Sequence, residues 1–201
     1  MNILIDDLPE SLNVDGADYK INTDYRTAIK FETMTQNEDV PDTEKISKAM
    51  ALFFCDNIPS DFEKAIEKII WFYSGGENKP NNVKGSNSEK EPNKHKIYDY
   101  DIDAGYIYAA FLEQYGIDLQ ETHLHWWKFK ALFCALSENI EFVKIMAYRT
   151  IKINPNMSKE QQAHYRKMKK LHALPLSKTE DEKLSKIEAA LMRGESIHEL
   201  L

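Results

Sequence analysis

Residues Asp101–Arg149 read DIDAGYIYAAFLEQYGIDLQETHLHWWKFKALFCALSENIEFVKIMAYR. Within this stretch Leu124-His125-Trp126-Trp127 opens an apolar run broken only by Lys128 and Lys130 before Ser137. The apolar residues recur at three- and four-residue spacing, the period of a helix that buries one face. Ile107, Ala110 and Phe111 mark one helix, opened by Asp103 and ended at Gly116. Thr122 is placed to cap a second, which carries Trp126, Trp127, Phe129, Leu132, Phe133 and Leu136. Phe142, Ile145, Met146 and Arg149 mark a third, expected from Ile140 to about Ile153, before Pro155. Three consecutive helices of this kind predict a mainly α protein with an aromatic core.

Working back toward the start, Ser11–Val14 and Ala17–Ile21 flank Asp15-Gly16, a dipeptide that accepts the positive φ angles of a tight hairpin turn. A lone hairpin is marginally stable, so it must pack on the helices or pair with another chain. Thr23 is placed to cap a helix over Asp24–Met34, and Asp42-Thr43 to open another running to Cys55. Ile46, Ala49, Met50 and Phe53 would form the inner face of that second helix. Ser60 would cap a third over Asp61–Tyr73, with Phe62, Ile66, Ile69 and Ile70 inward and Gly75-Gly76 as its stop.

Between these halves the chain reads ENKPNNVKGSNSEKEPNKHK, which is almost entirely polar. Such a segment cannot bury enough apolar surface to offset the entropy of ordering it. The expected organisation is therefore a hairpin and helices over 1–76, a disordered polar linker or loop over 77–97, and a helical region over 98–201. The two flanking regions could form two domains or one body. In the last region, Ser158-Lys159-Glu160-Gln161 is a capping-box start to a basic helix that reaches Leu171. A final helix is expected from Lys178 to Arg193. The total is one hairpin and about seven to eight helices.

The charge pattern limits the function classes. The net charge is −7, which disfavours nonspecific nucleic-acid binding by the surface as a whole. Residues 1–73 hold 15 acids against 7 bases, and 141–201 hold 12 bases against 8 acids. That asymmetry could serve attraction within a chain or between copies, although solvated helix faces are the simpler explanation. Arg166, Lys167, Lys169 and Lys170 make the basic helix a candidate electrostatic interface. Cys55 and Cys134 each sit in an apolar pattern, as buried free thiols do, and no CxxC pair occurs. MNILIDDLPES lacks the features of a signal peptide, and no apolar run reaches the roughly 18 residues of a membrane span. A soluble protein of a reducing cytoplasm is expected.

Catalytic and metal chemistry find little support. His123 and His125 stand two apart, about 200° from each other on a helix, so they cannot share a metal there. One capping or solvent-facing histidine and one packed on aromatic rings is the simpler reading. Asp99, Asp101 and Asp103 begin like a calcium loop, but its glycine position is Ala104 and its closing acid position is Ala110. An acidic helix start explains them better. No G-x-S-x-G, Walker, H-E-x-x-H or G-x-G-x-x-G motif occurs, so no cofactor or enzymatic activity is expected. Trp126, Trp127 and Phe129 are either core or, should one indole face outward, an anchor for a partner protein.

The runs Tyr106–Leu119 and Leu124–Phe133, together with Ala147-Tyr148-Arg149, Tyr165–Lys170 and the hairpin-helix Asp18–Phe31, resemble the "gene product fifteen" family of siphophages and prophages of Gram-positive bacteria. The LHWWKF core carries most of the specificity, and the other segments occur in the expected order. The genes of this family usually lie between those for the major tail protein and the tape measure protein. The resemblance therefore implies a tail assembly chaperone that coats the helical tape measure protein in the host cytoplasm. It carries over no catalytic or cofactor residue. Alternatives that stay open are a minor structural tail protein kept in the virion, and a nucleic-acid-binding regulator using the basic helix.

Overall fold

The computed structural model describes residues 2–77 and 96–175. Its elements are β1 (Ser11–Val14), β2 (Ala17–Lys20), α1 (Tyr25–Gln36), α2 (Asp42–Phe53), α3 (Phe62–Tyr73), α4 (Ala104–Tyr115), α5 (Trp126–Cys134), α6 (Glu141–Thr150) and α7 (Lys159–Leu171). The protein is thus mainly helical with an N-terminal antiparallel hairpin. The polar segment, apart from Glu77, Lys96 and Ile97, and the helix expected over Lys178–Arg193 lie outside the described residues.

Two compact units divide the chain, Met1–Thr150 and Ile151–Leu201. In the first, one hydrophobic cluster takes residues from Leu12 to Phe142, so elements before and after the polar segment share a core. In the second, α7 starts with Ser158 accepting from the Gln161 amide at 3.1 Å while the Gln161 side chain accepts from the Ser158 amide at 3.0 Å.

The hairpin turns where expected. Asp15 and Gly16 take φ of 52° and 81°, the pair of left-handed positions that matches strand twist in a two-residue turn. Leu12 and Val14 point inward and are buried. Ile21 follows β2, its amide still donating to the Glu10 carbonyl at 2.9 Å, and it also bridges Phe54 beyond α2.

The helix starts differ from expectation by a residue or more. Asp24, not Thr23, caps α1, accepting from the Arg26 amide at 2.9 Å, and Asp61, not Ser60, caps α3. His125, not Thr122, caps α5. The reason for two of these shifts is one bridge. Asp24 and His125 pair antiparallel, with the Tyr25 amide donating to the Leu124 carbonyl and the Trp126 amide to Thr23. Both chains must be extended there, so α1 and α5 begin immediately after it, side by side.

Inner faces also depart from the expected ones. On α2, Ala49, Met50 and Phe53 are buried but Ile46 is exposed. On α3 the core takes Ala65, Ile69 and Phe72, whereas Phe62 and Ile70 are each 53% exposed. That helix is apolar on more than one face, and the fold covers only one of them. α6 ends at Thr150 rather than Ile153. Both cysteines are exposed, not buried: Cys55 lies past the end of α2, and Cys134 is the last residue of α5.

Phe129 sits at the centre of the first unit, fully buried between two nearly parallel rings. Tyr25 of α1 stacks on it at 4.7 Å and Phe111 of α4 at 4.8 Å. Each such pair contributes about 0.5–1.5 kcal/mol beyond area burial. The Tyr25 hydroxyl then donates to the Leu119 carbonyl at 2.6 Å, tying α1 to the loop between α4 and α5.

Asp103 is the other deep tie: it stands at the N-cap of α4 as expected, but its carboxylate makes no capping bond. Its carboxylate is 1% exposed and receives both Arg149 guanidinium nitrogens, at 2.6 and 2.8 Å, joining the start of α4 to the end of α6. The Asp99 amide donates to it as well, at 3.0 Å. Removing one partner of a buried pair strands the other charge, which costs about 3–5 kcal/mol. Arg149→Met is expected to lose about that much in urea unfolding. Adding Asp103→Leu should recover part of it, whereas two independent, additive losses would contradict a paired role.

Candidate functional site

α5 places its two tryptophans through its cap. His125 Nδ1 accepts the Trp127 amide at 3.1 Å, and its Nε2 lies 3.2 Å from the Pro9 carbonyl. Only the neutral tautomer with the proton on Nε2 satisfies both contacts. Burial, with the rings of Phe72 and Trp127 set edge-on to the imidazole, pushes its pKa down. His123, by contrast, is exposed, with Nδ1 2.9 Å from the Asp24 carboxylate. The two histidines therefore serve different neighbours, and no group of three His, Cys, Asp or Glu among the described residues could hold a metal.

From that start the indoles reach the end of α3. Trp127 Nε1 donates to the Phe72 carbonyl at 2.7 Å and Trp126 Nε1 to the Tyr73 carbonyl at 2.8 Å. One turn further on, Lys130 Nζ donates to the Ser74 carbonyl at 2.5 Å. Three consecutive carbonyls at a helix end are thus met by side chains of one other helix, that of Phe72 in addition to the Gly75 amide at 3.0 Å. Trp126 and Trp127 are 3% and 5% exposed, so neither indole faces outward as a partner anchor.

The glycines after α3 belong to the same arrangement. Gly75 and Gly76 have φ of 87° and 77°, and a Cβ on Gly76 would come within 2.5 Å of the Trp127 ring. Only glycine allows both the left-handed turn and the close approach. Edge-on contact with Trp71 at 5.6 Å completes the packing of Trp127, and Trp126 stacks on Tyr73 at 5.3 Å.

Outside this clamp lies a cleft of about 790 Å³. Glu67, Ile70, Trp71 and Ser74 line one side at helical spacing, and Lys130, Phe133 and Cys134 line the other. Tyr98, Tyr100 and Glu32 line it as well. The Glu32 carboxylate accepts from the Tyr73 hydroxyl and, at 3.0 Å, from Gln36 Nε2. Burial and that carboxylate together push the Tyr73 phenol well above its usual range, and Tyr98 is raised for the same reasons in the same order. Among the described residues no cation pairs with Glu32, Glu67 or Glu77. The cleft is aromatic, partly open and negatively charged.

The basic helix in the second unit offers a looser group. Arg166, Lys167 and Lys170 are exposed, but Lys169 Nζ donates to the Ile151 carbonyl at 2.9 Å. The four cations do not form one free cluster. Sequence reasoning missed the cleft, because Glu32, Glu67 and Tyr98 carry no motif. The one available signal was a surplus of apolar positions around α3.

His125 makes the site sensitive to acid. Its folded pKa lies below that of the unfolded chain, so the cap's contribution is complete above about pH 6.5 and falls as pH drops below it. Replacing it by Asn, which can also cap, is expected to flatten that part of the stability curve. Parallel wild-type and His125→Asn curves from pH 7.5 to 5 would contradict the assignment.

Comparison with curated proteins and with solved structures finds no match. The profile of the family described as Bacteriophage Gp15 protein matches residues 4–174, which takes in the hairpin, all seven described helices and the Trp126-Trp127 doublet. The chain belongs to the bacteriophage Gp15 protein family.

Proposed function

We propose that this protein is a non-enzymatic tail assembly chaperone that binds the tape measure protein of its phage, self-associates, and works in the cytoplasm of the bacterial host. Membership of the phage family supports a phage role. The gene position implied by the resemblance supports the tail and the tape measure protein as client.

The observation that carries the reading is a contrast within the first unit. Among the described residues every buried side-chain polar atom has a hydrogen-bond partner. Its buried Asp103, its half-buried His125 and its two buried indoles are occupied in holding helices together. What the fold leaves unused is surface: the flank of α3 with Phe62 and Ile70, and the cleft beside it. Leftover apolar surface beside a negatively charged cleft suits recognition of another chain. Among the described residues no helix is long and apolar enough to cross a membrane.

Co-expression with the cognate tape measure protein tests this directly. The expected result is a stable complex and a large gain in the soluble fraction of the client. Mass spectrometry of purified virions should then find the protein absent or at trace level. Stoichiometric retention would make it a structural tail component instead.

A further inference from the structure

We propose that the cleft between α3 and α5 binds an amphipathic helix that carries Lys or Arg beside its apolar anchors. The proposal rests on the chaperone reading and assigns it a surface. Two observations point to such an occupant. The first is shape. Glu67, Ile70, Trp71 and Ser74 stand at i, i+3, i+4 and i+7 on α3, and Lys130, Phe133 and Cys134 at i, i+3 and i+4 on α5. A groove walled by two such ridges receives the ridge of a third helix.

The second is charge. Glu32, Glu67 and Glu77 line the cleft without an ion-pair partner among the described residues, while its one cation, Lys130, is held by the Ser74 carbonyl. Glu32 is the innermost of the three by its contacts, since the Tyr73 hydroxyl bonds it directly. A cationic side chain entering there meets that carboxylate in a cleft also lined by the rings of Tyr98 and Trp71, so ion pairing and cation–π attraction act together. The apolar anchors of the same helix would lie on Ile70, half exposed in the free protein, and on Phe133. An acidic helix would be repelled by the same groups, which gives the cleft a preference as well as an affinity.

The test uses the full-length protein and helical peptides of about 20 residues tiled along the tape measure sequence of the same phage. The double variant Glu67→Lys/Ile70→Asp changes two exposed side chains, and an unchanged thermal melt confirms its fold. The wild type is expected to select peptides bearing Lys or Arg on one side of an apolar stripe. The double variant should weaken them roughly 10- to 100-fold, and Lys167→Glu/Lys170→Glu on α7 should leave binding unchanged.

Equal binding by wild type and double variant would overturn the cleft while leaving the chaperone reading intact. So would selection of acidic peptides. A wild type that binds neither peptides nor intact tape measure protein defeats both readings together. If the double variant instead dissolves a dimer of the free protein, the occupant is a second copy. If peptides bind only after Lys79, Lys84, Lys90 and Lys94 are neutralised, it is the chain's own basic segment. Either of these outcomes overturns the proposal.

Discussion

The first unit depends on how one helix end is closed. α3 stops at two glycines, and its last carbonyls face α5: that of Phe72, which also accepts from the Gly75 amide, and those of Tyr73 and Ser74. A buried carbonyl without a partner costs about 1–3 kcal/mol. Two indole N–H groups and one ammonium from α5 meet these three in sequence. The same indoles bury large apolar rings against α3, so hydrogen bonding and packing share one contact. Few side chains combine the two properties, and tryptophan does so with little rotamer freedom to lose.

Several other features follow from this closure. The bridge between Asp24 and His125 sets where α5 begins, and the His125 cap orients the backbone that carries the indoles. Phe129, one turn later, then falls between Tyr25 and Phe111. With α3 held by its end, Ala65, Ile69 and Phe72 turn inward while Ile70 and Phe62 remain outside. The cleft is therefore a consequence of the clamp: it lies where α3 and α5 converge on their shared contact.

Much of the architecture was legible because local signals agree with global packing. Asp15-Gly16 makes its turn from backbone preference alone, and Ser158 with Gln161 makes its capping box from a four-residue pattern. The helices are called by period, and all seven described ones were. Helix starts slipped where a tertiary bridge outweighed a local cap, as at Thr23 and Thr122. The inner face of α3 was misread because period identifies apolar flanks but not which of two is covered. Asp103 shows the converse: its acidic neighbours suggest a dipole role, and only the distant Arg149 reveals an internal ion pair. The cleft was illegible for a related reason, since its residues come from four separate stretches of chain and none is unusual in its own setting.

The central claim is that the indole N–H groups, and not only the indole rings, hold the molecule together. Replacing Trp126 by 3-benzothienylalanine exchanges the N–H for sulfur and keeps the bicyclic shape, leaving the Tyr73 carbonyl without its donor. Equilibrium urea unfolding of the full-length protein measures the effect. A loss of about 1–3 kcal/mol is the predicted result. Stability within about 0.5 kcal/mol of wild type, the range of an inconsequential change, would mean that packing alone closes α3, and it would contradict the account.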